Sequence, residues 1–282
     1  MVTQDGIQRI PPRWVETFKD KEDLLPVVHV NGRGICALIE WERVEDEHGE
    51  WHVRREGPQD LYVFVGKVSL DLSGLGITDI SQVKGLDTIE RIDELDLSNN
   101  RITSLDWLAR MPWALADNGI TEPLHYDGDD YAPRDPKDTI KVLNLSNNEI
   151  TEFPEVPILG LHTLVLGHNK ISTIEAKQLD NLQHLQILDI SSNDIQDISF
   201  LTHLPNLKKV GLRNNRIKSI PDLHRLEEIT YLNLNGNQIH AESDLDNLPV
   251  QCWTQLGNNQ LDRETLGKYK KKFDDLNSIN TI

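Results

Sequence analysis

The stretch Leu188-Asp-Ile-Ser-Ser-Asn193-Asp-Ile195 returns as Val210-Gly-Leu-Arg-Asn-Asn215-Arg-Ile217 and again as Leu232-Asn-Leu-Asn-Gly-Asn237-Gln-Ile239. Earlier copies read Leu95-Asp-Leu-Ser-Asn-Asn100-Arg-Ile102, Leu143-Asn-Leu-Ser-Asn-Asn148-Glu-Ile150 and Leu164-Val-Leu-Gly-His-Asn169-Lys-Ile171. A worn copy, Leu256-Gly-Asn-Asn259-Gln-Leu261, closes the series. From Asn148 through Asn169, Asn193, Asn215 and Asn237 to Asn259, the asparagines are spaced 21, 24, 22, 22 and 22 apart. A phrase that returns at this period marks a stack of small units, each unable to bury its apolar face alone.

The residue types explain the phrase. Its L-x-L centre is a short strand whose leucines point inward and whose intervening residues point outward. Stacked copies place these strands side by side in a parallel sheet. Where the chain turns away, backbone N–H and C=O groups are left inside the stack, and unpaired buried groups are costly. An inward Asn donates and accepts at once, so a column of Asn100, Asn148, Asn169, Asn193, Asn215, Asn237 and Asn259 can satisfy those turns.

After each Asn-x-Ile the apolar spacing becomes three. Ile195, Ile198, Leu201, Leu204 and Leu207 lead into Val210, and Ile217, Ile220, Leu223, Leu226 and Ile229 lead into Leu232. Period three suits short 3₁₀ turns, and 22 residues leave little room for a full helix. On these residues, roughly 67–261 resemble the 22-residue class of leucine-rich repeat proteins, typified by the regulatory subunit of protein phosphatase one. The resemblance implies an α/β solenoid, with a curved parallel sheet on the concave side and 3₁₀ or short helical turns on the convex side. It is specific for fold and weak for function.

The ends and one interior stretch depart from the repeat. Residues 1–66 contain candidate strands at 27–30, 34–41, 51–55 and 61–65, with Asn31-Gly32 and His48-Gly49 as hairpin turns. They read as a small β unit capping the exposed end of the solenoid. The repeats span 67–261, and in the first of them Leu75 stands at the asparagine position. Residues 113–120 fit a degenerate repeat. The loop 121–138, with Pro123, Gly128, Pro133, Pro136 and five aspartates, reads as an insertion. Residues 262–282 read as a capping helix and tail, with Leu261, Leu266, Tyr269 and Phe273 as its apolar stripe and Lys268, Lys270, Lys271 and Lys272 as its solvated face.

Composition bounds the function. The 282 residues carry a net charge of −17, which argues against a duplex nucleic-acid binder and fits a basic or mixed partner surface. Only two cysteines, Cys36 and Cys252, occur, and the paired end-cap cysteines usual in secreted proteins of this kind are missing. That points to a reducing, cytoplasmic setting. The first residues lack the apolar run of a signal peptide, and no apolar stretch is long enough to span a membrane.

No catalytic constellation stands out: GxGxxG, GxxxxGK[ST], HExxH, CxxC and GxSxG are all missing. Both cysteines read as packing residues, and His162 and His168 as ordinary surface residues. His125, Asp127, Asp129 and Asp130 are a dense cluster without EF-hand spacing, so no metal site, and no cofactor, is assigned. The expected function is therefore recognition of another protein through the outward columns of the sheet. Three zones line it: acidic Glu94 and Asp96, apolar Val142, Val165 and Ile187, then Lys209, Arg213, Tyr231 and Trp253. Aromatic and arginine side chains are the types enriched at interface hot spots. The alternatives are a regulatory or inhibitory subunit of an enzyme such as a phosphatase, a pathogen or phage factor that sequesters a host protein, and an enzyme seated in the N-terminal unit.

Overall fold

The computed structural model describes residues 27–30, 33–36, 38–41, 43–45, 51–53, 55–56, 63–64, 66–86, 92–107, 140–156, 158 and 160–270. Eight parallel strands form one sheet: β8 (Gly66–Asp71), β10 (Glu94–Asp96), β11 (Val142–Asn144), β12 (Thr163–Val165), β13 (Ile187–Asp189), β14 (Lys209–Gly211), β15 (Tyr231–Asn233) and β16 (Trp253–Gln255). Each strand joins the next in sequence, the order of a solenoid. The register is strict, with Leu70, Leu95, Leu143, Leu164, Leu188, Val210, Leu232 and Thr254 aligned rung by rung.

The apolar members of that column, and the second leucines from Leu72 to Leu256, are buried. Full burial of each such side chain contributes roughly 1.5–3 kcal/mol. The period-three residues Ile195, Ile198, Leu201, Leu204 and Leu207 close the opposite side of the same core. There the chain runs in 3₁₀ turns at Ile80–Gln82, Ala176–Leu182, Ser199–His203 and Glu242–Asn247. Side-chain amides tie neighbouring turns together: Gln178 donates to the Phe153 carbonyl at 2.6 Å and Asn247 to that of Ile220 at 2.6 Å. The molecule is thus an α/β solenoid, with a parallel sheet on the concave side and 3₁₀ turns on the convex side.

The asparagines lie between the rungs. Asn193 Nδ2 donates to the carbonyls of Ile190 at 3.1 Å and Leu166 at 2.9 Å, while its Oδ1 accepts from the Ile171 N–H at 2.9 Å. Asn148, Asn215 and Asn237 repeat the arrangement, each serving its own turn and the one before it. Asn169 and Asn259 do the same in less buried positions. Asn100 closes the first turn, accepting from both Leu75 and Ile77 N–H.

One residue earlier, the backbone is left-handed in repeat after repeat. Asn99, Asn147, His168, Ser192, Asn214 and Asn258 have φ between 54° and 57°, and Gly236 has φ 71°. Asn and Gly tolerate this conformation best. Ser192 and His168 hold it against their preference. Ser192→Gly is therefore expected to leave stability unchanged or raise it by up to ~1 kcal/mol, and Ser192→Val to lower it by about 1–2 kcal/mol. Denaturant unfolding of the three proteins checks the order.

At the N-terminal end, β1 (Val27–Val30), β2 (Arg33–Cys36), β3 (Leu38–Trp41), β4 (Arg43–Glu45), β5 (Trp51–Val53), β6 (Arg55–Glu56) and β7 (Val63–Phe64) precede the solenoid. β3 pairs antiparallel with β8 and forms the edge of the nine-stranded sheet. β1 pairs with β2 across Asn31-Gly32, and also with β9 (Val83–Lys84) in the first repeat. Val30 adds its side chain to the solenoid core. Two different edges of the first repeat are therefore covered.

Residues 113–120, read as a degenerate repeat, lie outside the described residues. β10 pairs directly with β11, Leu95 against Leu143. Asn148 bonds the Leu97 carbonyl and the Ile102 N–H with no rung between them. The 121–138 loop and its His125–Asp130 cluster lie outside the described residues.

Candidate functional site

The outward residues of the strands form two columns across the concave face, with the residues just after each strand beside them. The first runs Ser69, Glu94, Val142, Thr163, Ile187, Lys209, Tyr231 and Trp253, aligned by the strand register. Ile187 is 36% exposed and Trp253 58% exposed; with Val250 they are the large apolar side chains left exposed among the described residues. Two of the three thus share one column. Tyr231 packs edge-on against Trp253, with ring centroids 6.1 Å apart and an 80° angle between planes. Its hydroxyl accepts from Asn233 Nδ2 at 3.3 Å. The pair forms an aromatic platform with one ring half-buried and the other open. Val142 and Val165 are half-buried on β11 and β12, four and three strands before Tyr231.

The second column carries Asp71, Asp96, Asn144, Val165, Asp189, Gly211, Asn233 and Gln255. Here the carboxylates and amides have a structural task that the sequence reading missed. Asp71, Asp96, Asn144, Asp189 and Asn233 each accept, through Oδ1, from the backbone N–H two residues on, at 2.8–3.1 Å. These Asx turns end the strand and release the chain into the turn. The recurrence of Asp or Asn between the two core leucines was the signal. Asp96 still offers its second oxygen, which accepts from Asn144 Nδ2 at 3.0 Å. Gly211 interrupts the column because Asp189 leans over it: a Cβ there would come within 2.6 Å of Asp189 Oδ1.

Charge is divided along the face. Asp71, Glu94 and Asp96 occupy its first two rungs, with Ser69 Oγ donating to Glu94 at 3.3 Å. Lys209 and Arg213 are exposed on and just after β14, and no salt bridge among the described residues reaches either. Beside the sheet run Lys141, His162, His184 and Lys208. Burial first, then the charges of Lys141, His184 and Lys208, lower the His162 imidazole below its ordinary pKa.

At the far end, Trp253 walls an open cavity of about 550 Å³ between β16 and the helix 263–270, with Gln255, Leu266, Tyr269 and Lys270 around it. Asp262 caps that helix, accepting from the Thr265 N–H at 2.7 Å. Cys252 lies beneath, fully buried, and burial pushes its thiol up to about 11. It is a packing residue rather than a nucleophile. Cys36 lies in β2, and its side chain is outside the described set. Among the described residues, no helix is long and apolar enough to cross a membrane.

Comparison with known proteins agrees with the fold. Leucine rich repeat family models match residues 159–217, 205–250, and 91–111 with 139–158. An internalin (inlF) of Listeria monocytogenes superposes with a TM-score of 0.53 at 23% identity, over 72% of this chain and 51% of that one. A leucine-rich repeat protein of Leptospira interrogans gives 0.51 at 19% identity, over 73% and 53%. Chaoptin of Drosophila melanogaster is 30% identical over 69 residues, 24% of this chain and 5% of its own length. The chain thus spans about half of these solved neighbours and a small fraction of that curated relative. The fold is a leucine-rich repeat solenoid, and proteins built on it are generally non-enzymatic scaffolds for protein interactions.

Proposed function

We propose that this chain is a non-catalytic scaffold that recognises a protein partner through the concave face of its sheet. Glu94, Asp96, Val142, Val165, Ile187, Lys209, Arg213, Tyr231 and Trp253 form the contact surface. The observation that carries this reading is the shared column of Ile187, Tyr231 and Trp253. It holds exposed apolar and aromatic side chains on a rigid sheet, where water gains nothing from them. The face is preorganised: the Asn column and the Asx turns fix each rung, so little ordering entropy is lost on binding. The scarcity of cysteine and the inert, buried Cys252 support action in the cytoplasm.

Photo-cross-linking tests the proposal. A benzoyl-phenylalanine at Ile187 or Trp253 is expected to trap the partner in cells, and the same group at Thr202 on the convex side to trap little or none. Equal trapping from both sides would contradict it.

A further inference from the structure

The charge on the concave face is polar, and its polarity defines the chemistry of the partner. Asp71, Glu94 and Asp96 lie on β8 and β10, whereas Lys209 and Arg213 lie on and just after β14, four strands beyond β10. Between the two ends are Val142, Val165 and Ile187; the Asp189 carboxylate on β13 accepts in an Asx turn, as those of Asp71 and Asp96 do. At the usual strand separation the two charged ends are about 19–24 Å apart.

A uniformly acidic partner would meet the net charge of −17 and the acidic first rungs. A uniformly basic one would be drawn in by that net charge and then face Lys209 and Arg213 with like charge across the interface. Resting on the concave-face reading above, we infer that the partner is a protein segment with a basic cluster and an acidic cluster about 20 Å apart and apolar side chains between them, its basic end over β8–β10 and its acidic end over β14. The spacing corresponds to about six residues of extended chain or about thirteen of helix. The net charge steers the basic end in, and Lys209 with Arg213 orients the segment.

The test selects binders from a displayed library of random 16-residue peptides on the wild-type protein. Synthetic versions of the enriched peptides are then measured by fluorescence anisotropy on three variants. Asp71→Asn/Glu94→Gln/Asp96→Asn removes the acidic end but keeps the Asx-turn acceptors. Lys209→Gln/Arg213→Gln removes the basic end, and Val165→Glu/Ile187→Glu spoils the apolar centre.

The expected result is enrichment of peptides with opposite clusters at that spacing. Each charge variant then weakens binding about tenfold at low salt. The loss on Lys209→Gln/Arg213→Gln disappears for peptides whose acidic cluster is replaced by glutamine. Peptides of a single sign, no enrichment, or affinities unchanged in both charge variants would overturn the inference. If binding survives the charge variants but is lost in Val165→Glu/Ile187→Glu, the concave site stands and only its polarity falls. If it survives all three, both readings fall.

Discussion

Asn193→Leu is expected to destabilise the solenoid by about 2–4 kcal/mol, because it strands the buried Ile171 N–H at ~1–3 kcal/mol and removes one of the two amide donors of each of two carbonyls. The Ile171 N–H loses its acceptor at 2.9 Å, while the Leu166 and Ile190 carbonyls lose a donor at 2.9 and 3.1 Å but keep those of Asn169 and Asn215, each at 3.0 Å. Asn193 is 7% exposed, so water replaces little of this. A loss of that size in a domain near 200 residues lowers the melting temperature by roughly 10 °C. Asn169→Leu removes the same set of bonds at a half-exposed rung and costs less. Asn193→Asp keeps the acceptor and faces a carboxylate toward two carbonyls, so it is destabilising as well. Thermal unfolding followed by circular dichroism ranks the three. A melt unchanged by Asn193→Leu would contradict the role given to the asparagine column.

The solenoid was legible because its physics is local and repeated. Leucine at most inward positions and an asparagine at the turn of each repeat after the first leave their period in the chain, and the period-three run after Asn-x-Ile announces 3₁₀ turns. Other features were hidden for definite reasons. The left-handed residue before each asparagine is Asn, His, Ser or Gly, types that loops use for many purposes, so the shared φ is visible only in the backbone. The direct pairing of β10 with β11 bridges residues 97–141, far more than one repeat period, and has no local signature. The pairing of β1 with β9 joins residues more than fifty positions apart and has no local signature. At the face, alternation placed the columns, whereas the exposure of Trp253 and the structural task of Asp96 depend on what packs beside them.

The second large effect is expected at the centre of that face. Val165→Glu/Ile187→Glu/Tyr231→Ala adds two carboxylates to the apolar zone and removes the ring that supports Trp253. Losing a central hot-spot aromatic costs about 2 kcal/mol or more, and each unpaired carboxylate buried against a partner costs further, so binding weakens by roughly a hundredfold at least. None of the three side chains is among the buried core residues, so the fold persists. The decisive measurement is affinity capture from source-cell lysate with wild type and this variant side by side, both shown to be folded by circular dichroism. The concave-face account predicts a partner retained by wild type and lost by the variant. A partner held equally by both would contradict it and move the contact to another surface of the protein.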